Sequence, residues 1–225
     1  MDNHLIRVKI CCIASIEEAR LAISYGASAI GLVSEMPSGP GPIPEELIEE
    51  IVPVIPPGVA SFFLTSKQDV DSIIVQQRRT KVNTIQIVDR LIKGTHNDLK
   101  KALPGIAIVQ VIHITGEGSI KEAVEVSKDV QGILLDSGNQ SLTVKELGGT
   151  GRVHNWDISK KIVESVNKPV YLAGGINSSN VKDAINKVKP FAVDVCSGVR
   201  TNGKLDEMKL EALFNEIKDF NCKQE

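Results

Sequence analysis

Residues 169–181 read PVYLAGGINSSNV, and their order decides the fold. A short apolar run, Pro169 to Ala173, ends in two glycines, Gly174 and Gly175, and Asn177 then leads into the amphipathic stretch SSNVKDAI. A buried strand that turns on glycine and opens at once into a helix is one β/α unit. The same order recurs along the chain. Apolar, β-branched runs stand at 5–11, 28–33, 59–64, 82–88, 106–114, 131–136, 169–173 and 191–195. Several are nearly continuous rather than alternating, as strands buried on both faces of a parallel sheet require. Helical stretches follow them, with Ser15, Ser66, Ser119 and Asn177 at expected starts, Glu18 completing a capping-box pattern with Ser15, and Gly26 at the expected end of the first helix. Eight strands joined by right-handed crossovers close into a (β/α)₈ barrel. An open doubly wound sheet is the competing arrangement. The strand count and the lack of a glycine-rich loop after the first strand argue against it. The expectation is an α/β chain of TIM-barrel architecture, with residues 1–225 as one domain.

Composition agrees with a globular core. Hydrophobic residues make up 42%, charged residues 24% and aromatic residues only 4%, so Val, Ile, Leu and Ala must fill the interior. The net charge of −2, with both signs interspersed, argues against a nucleic-acid groove or an anionic membrane as partner. The four cysteines, Cys11, Cys12, Cys196 and Cys222, form neither a zinc knuckle nor a disulfide framework, and Cys196 and Cys222 suggest no role. No apolar run approaches the ~20 residues of a membrane helix. The first residues show no secretory pattern, so a cytoplasmic location is expected.

The long connections at 34–44 (SEMPSGPGPIP) and 137–154 follow strands, on the face where barrels carry their sites. On that face, Gly174 and Gly175 after the seventh strand and Ser197-Gly198 after the eighth let backbone N–H groups approach an anion such as phosphate. These glycines also fit plain tight turns. Cys11 closes the first strand and Asp136 the sixth, across the mouth. A thiol and a carboxyl facing one another over a sugar suit a general base and a general acid. A small buried thiol and a loop-capping carboxylate are the simpler readings. Lys9, on the same face as Cys11, fits either a thiolate-stabilising cation or an interior ion-pair partner. His113 reads as a core histidine, His4 and His96 as surface residues, and Trp156 as packing of the sixth helix on the barrel.

The segments VKIC (8–11), LLDSG (134–138), GGTGRVHNW (148–156), LAGGINSSNV (172–181) and VDVCSGVR with NGKLD (193–206) together resemble the phosphoribosylanthranilate isomerase family of tryptophan biosynthesis. The resemblance implies a ribulose-phosphate-binding type of barrel and an intramolecular aldose–ketose isomerase. Its reaction would be the Amadori rearrangement of N-(5-phosphoribosyl)anthranilate to 1-(2-carboxyphenylamino)-1-deoxyribulose 5-phosphate, with no cofactor and no metal. It also implies residue roles. Asp136 would assist ring opening as general acid, and Cys11 would remove the C2 proton. Gly174, Gly175, Ser197 and Gly198 would bind the phosphate, with Lys9, Gln86 and Asp194 about the sugar and the 148–151 turn shaping the rim. A monomer or a homodimer would suit such a barrel.

Departures gather at the other end of the substrate. The family's loop after the second strand carries an arginine for the anthranilate carboxylate, and here Pro40 or Gly41 stands in its place. A histidine after the fourth strand becomes Val88, a glycine becomes Cys12, and Asn155 stands for an aspartate. Losing one charged hydrogen bond costs roughly 1.5–3 kcal/mol of binding. Arg7, Arg152 or His113 would then hold the carboxylate. Otherwise the chain isomerises a different phosphoribosylamine, or binds a phosphosugar without catalysis.

Overall fold

The computed structural model describes residues 5–138, 145–148 and 151–222. His4, and Gly149 and Thr150 of the expected 148–151 turn, lie outside them. Eight parallel strands close into a barrel in sequence order: β1 (Arg7–Ile10), β2 (Ala29–Val33), β3 (Ala60–Thr65), β4 (Thr84–Ile87), β5 (Ala107–His113), β6 (Gly132–Asp136), β7 (Val170–Leu172) and β8 (Ala192–Val195). Between and after them run α1 (Ile16–Ser24), α2 (Glu45–Ile51), α3 (Val70–Thr80), α4 (His96–Ala102), α5 (Gly118–Ser127), α6 (Trp156–Ser165), α7 (Val181–Val188) and α8 (Glu207–Cys222).

Period-two alternation divides each strand between two cores. Ile30, Leu32, Phe63 and Ile85 point outward into the large core between sheet and helices. Phe62, Leu64, Val109, Val111 and Leu134 fill the barrel interior. Both faces are dry, which explains the near-continuous apolar runs. Lys9 is fully buried on that inner face, between the outward-facing Val8 and Ile10, and Gln86, Asp136 and Asp194 are buried polar groups on the same face.

Helix starts follow the sequence in some places and depart from it in others. Ser15 caps α1 by accepting from the Glu18 backbone N–H, but the Glu18 carboxylate reaches back to the Ala14 N–H rather than to Ser15, and Gly26 follows the helix with φ 106°. Ser66 does not cap α3: Asp69 does, accepting from the Ser72 N–H at 2.8 Å. Ser119 lies within α5 and donates to the His113 carbonyl. After β7 the chain makes an extra turn over 177–180, so α7 begins at Val181, four residues past Asn177. Asn177 and Asn180 both donate to the Gly175 carbonyl and thereby hold that turn in shape. Trp156 packs on the outer core, as its position suggests. His96 is half-buried rather than a surface residue, because its Nε2 lies 2.9 Å from the buried Gln110 amide oxygen of β5.

Candidate active site

A pocket opens at the C-terminal ends of the strands and is lined by Cys11, Gln86, Asp136, Gly174, Gly175, Asp194 and Ser197. The two long loops roof it through Met36, Ser38, Gly39 and Pro40 on one side and Leu147, Gly148 and Gly151 on the other.

Cys11 follows β1 directly, its N–H extending the ladder to the Val195 carbonyl at 2.9 Å. Gly31 on β2 leaves it room: a Cβ there would meet both the Cys11 sulfur at 2.8 Å and Lys9 Nζ at 3.0 Å. The two groups therefore lie side by side, Cys11 on the pocket wall and Lys9 behind it. A hydrogen bond from the Cys12 thiol, and then the Lys9 charge, hold the Cys11 thiol below its usual range despite burial. Cys12 is itself pushed well up, by its thiol hydrogen bonds to Cys11 and Cys196 and by burial, so it stays protonated.

Lys9 Nζ lies 2.9 Å from Asp194 Oδ1, with both side chains buried. Burial pulls the ammonium down, but Asp194 and then Cys11 outweigh it and keep Lys9 charged. Across the mouth, burial pushes the Asp136 carboxyl up, against the Ser137 N–H that donates to its Oδ1 at 2.7 Å. A Cβ on Gly148 would press on Asp136 Oδ2, so only glycine lets this loop close over the acid. Gln86 is buried beside the pocket with its amide oxygen lacking a hydrogen-bond donor.

Gly174 and Gly175 both have positive φ, 82° and 66°. A Cβ on Gly175 would run into the Gly151–Val153 backbone at 2.9 Å, and one on Gly198 into the Ile176 carbonyl and Asn177. Gly198 and Lys9 stand behind the pocket rather than on its wall, and Ser197 is exposed to it.

Three positions beside the pocket escaped the sequence reading. Buried Arg200 donates to the Cys12 carbonyl at 2.5 Å and to Glu18 at 2.9 Å, clamping the loop after β1 to the chain after β8. His154 is packed against the Gly174 turn, where a Cβ would lie 2.8 Å from its Nδ1, and donates to or accepts from Ser159 Oγ at 2.7 Å. Burial lowers its pKa to about 4. Cys196, whose sequence context suggests no role, has its sulfur 2.7 Å from that of Cys12. No local pattern signals these contacts, although all three residues lie within the segments that carry the resemblance.

The far wall is apolar, formed by Val33, Met36, Leu64, Val88 and Leu147 with Pro40. Of the cations considered for a carboxylate, Arg7 is at the opposite end of β1, 4.5 Å over the Phe191 ring. Arg152 pairs with Glu146, and His113 is tucked under Gly138 with Nε2 3.0 Å from the Val88 carbonyl. Among the described residues no lysine, arginine or histidine lines the pocket.

Fold and pocket define a (β/α)₈-barrel enzyme with its site at the C-terminal mouth of the strands. A family model described as N-(5'-phosphoribosyl)anthranilate (PRA) isomerase matches residues 8–216, and the chain belongs to that family. It is an intramolecular aldose–ketose isomerase of tryptophan biosynthesis. N-(5'-phosphoribosyl)anthranilate isomerase 2 of Methanosarcina mazei is 35% identical over 216 residues, 95% of each chain. The enzyme of Methanothrix thermoacetophila is 32% identical over 95% of this chain and 99% of its own. Among solved structures, the Thermotoga maritima isomerase superposes with a TM-score of 0.79 at 26% identity, covering 95% of this chain and 99% of that one. An isomerase in complex with reduced 1-(o-carboxyphenylamino)-1-deoxyribulose 5-phosphate superposes with 0.77 at 25% identity, with the same coverage.

Proposed function

We propose that Cys11 is the general base and Asp136 the general acid of the rearrangement of N-(5'-phosphoribosyl)anthranilate. One observation carries the assignment: a thiol held toward its thiolate and a carboxyl held toward its acid line the same pocket, with the β7 and β8 turns at one end. Asp136 donates its proton to the ring oxygen as the C1–O bond breaks, and the amine nitrogen lone pair forms the C1=N bond. Cys11 then removes the C2 proton. The electrons of that C–H bond pass into C1=C2 and neutralise the iminium nitrogen. The resulting enol-amine gains a proton at C1 and loses its C2 hydroxyl proton, giving the ketose.

In this reading the phosphate rests on the backbone of Gly174, Gly175 and Ser197, with Gly198 allowing the two turns to approach one another. The free oxygen of Gln86 accepts from a sugar hydroxyl, and Lys9 acts through Asp194 and Cys11 rather than by touching the substrate. The anthranilate ring lies on the apolar wall about Val88. The reading includes one barrel domain over residues 1–225, working as a monomer or homodimer in the cytoplasm without a nucleic-acid or membrane partner. The balanced charge supports the lack of a nucleic-acid partner. Among the described residues no helix is long and apolar enough to cross a membrane.

The test is turnover of phosphoribosylanthranilate, followed by loss of its fluorescence. Cys11→Ala and Asp136→Asn should each lower kcat by about 10²–10⁴-fold while inorganic phosphate still binds. Wild-type-like turnover in either variant would remove that residue from its role.

A further inference from the structure

Three of the four cysteines meet at the pocket, and only Cys11 has work in the proposed reaction. Cys12 and Cys196 lie 184 positions apart in the chain, yet their sulfurs are 2.7 Å apart, one after β1 and the other after β8. A disulfide needs ~2.05 Å, so a small rotation of either side chain closes the remaining distance. Cys12 is buried, whereas Cys196 is half-buried on the pocket wall, where a small molecule reaches it.

The backbone gives no reason for a cysteine at position 12. Its φ of 62° lies in the left-handed region, where glycine is the unstrained choice. The conformation is imposed from outside: Arg200 holds the Cys12 carbonyl, and the Cys12 thiol lies 3.5 Å from the Pro40 carbonyl of the second loop. Backbone strain of this kind gathers at functional sites. Metal binding is a poor alternative, since no group of three or more His, Cys, Asp or Glu among the described residues is arranged to hold an ion.

We propose that Cys12 and Cys196 form a reversible disulfide that switches the isomerase off, with a small-molecule disulfide as oxidant. Cys196 gives its proton to solvent, and its thiolate attacks one sulfur of the oxidant, forming a mixed disulfide and expelling the first small thiolate, which takes up a proton. Cys12 gives its proton to solvent and attacks the Cys196 sulfur, forming the Cys12–Cys196 bond and expelling the second. The two protein thiols lose two electrons, and the oxidant is reduced to two thiols. The new bond ties the β1 loop to the β8 loop beside Ser197. It also removes the Cys12 thiol, which helps hold the Cys11 pKa down.

The switch rests on the proposed role of Cys11, but the bond itself does not, so the experiment reads them separately. The full chain carrying Cys222→Ser is incubated with oxidised glutathione, alkylated, and digested without reduction. Tandem mass spectrometry should locate an internal bond between Cys12 and Cys196. Turnover should fall by about a hundredfold and return with dithiothreitol. Cys196→Ala in the same background should retain, after oxidation, nearly the turnover it has when reduced. A bond through Cys11, no internal bond, or equal inactivation of Cys196→Ala would overturn the proposal. A mapped Cys12–Cys196 bond with turnover unchanged would overturn the switch alone. A reduced enzyme without turnover would count against the assigned reaction, not against the cysteine pair.

Discussion

Lys9 Nζ and Asp194 Oδ1 meet at 2.9 Å where β1 pairs with β8, and the two residues are direct register partners across the seam that closes the barrel. This is a buried ion pair between the first and last strands of the sheet, and it lies immediately behind the Cys11 thiol. Lys9→Met should cost about 3–5 kcal/mol in urea unfolding, because it leaves Asp194 buried without its partner. Lys9→Met combined with Asp194→Leu should recover most of that loss. The single variant also removes a charge that lowers the Cys11 pKa, so the limb of the pH–rate profile set by Cys11 should move to higher pH. An unmoved limb would show that Lys9 does not act on the thiol.

Gly198 is where the β7 and β8 turns touch, and an added Cβ would strike the Ile176 carbonyl, which is backbone and cannot rotate away. Gly198→Ala should therefore destabilise by about 1–3 kcal/mol, as overpacking does. It should also spread the β7 and β8 turns, raising the KM for phosphoribosylanthranilate more than it lowers kcat. Calorimetry with inorganic phosphate checks the same effect directly.

Pro40 stands at the edge of the apolar wall, where no described cation faces the pocket. Pro40→Arg would place a guanidinium where a carboxylate can form paired hydrogen bonds with it. The KM for phosphoribosylanthranilate should fall by about tenfold, equivalent to roughly 1.4 kcal/mol, with kcat little changed. A KM that stays put or rises would mean that the carboxylate does not lie toward this loop.

His154 is buried against the Gly174 turn, and its pKa of about 4 lies below the ordinary 6.5. The folded state therefore favours the neutral ring, and the unfolded chain binds the extra proton between these values. Stability should be complete above about pH 6.5 and should decline as pH falls toward 4, by on the order of 2–3 kcal/mol from this residue. Comparing urea unfolding at pH 7 and pH 4.5 should show a smaller loss in His154→Gln than in the wild type. An equal loss would place the acid sensitivity elsewhere.

Much of the architecture was legible in the chain because it depends on neighbours in sequence. The apolar runs mark all eight strands, and Cys11 and Asp136 fall at strand ends because a strand's length and its following turn are local properties. Gly174 and Gly175 likewise announce a turn wherever they occur. Some helix starts were misread where a stronger acceptor lay nearby, as Asp69 displaced Ser66.

Tertiary structure alone decided what stands behind and beside those residues. Cys12 and Cys196, Lys9 and Asp194, and Glu18 and Arg200 are each separated by more than 180 positions. All three pairs meet because closure sets β1 against β8 in one register. A one-residue slip in that register would turn the inward side chains outward, and no local pattern specifies it. The sequence by itself thus determined a barrel with a thiol and a carboxyl at its mouth, whereas only the closed sheet decided the charge behind that thiol and the sulfur beside its neighbour.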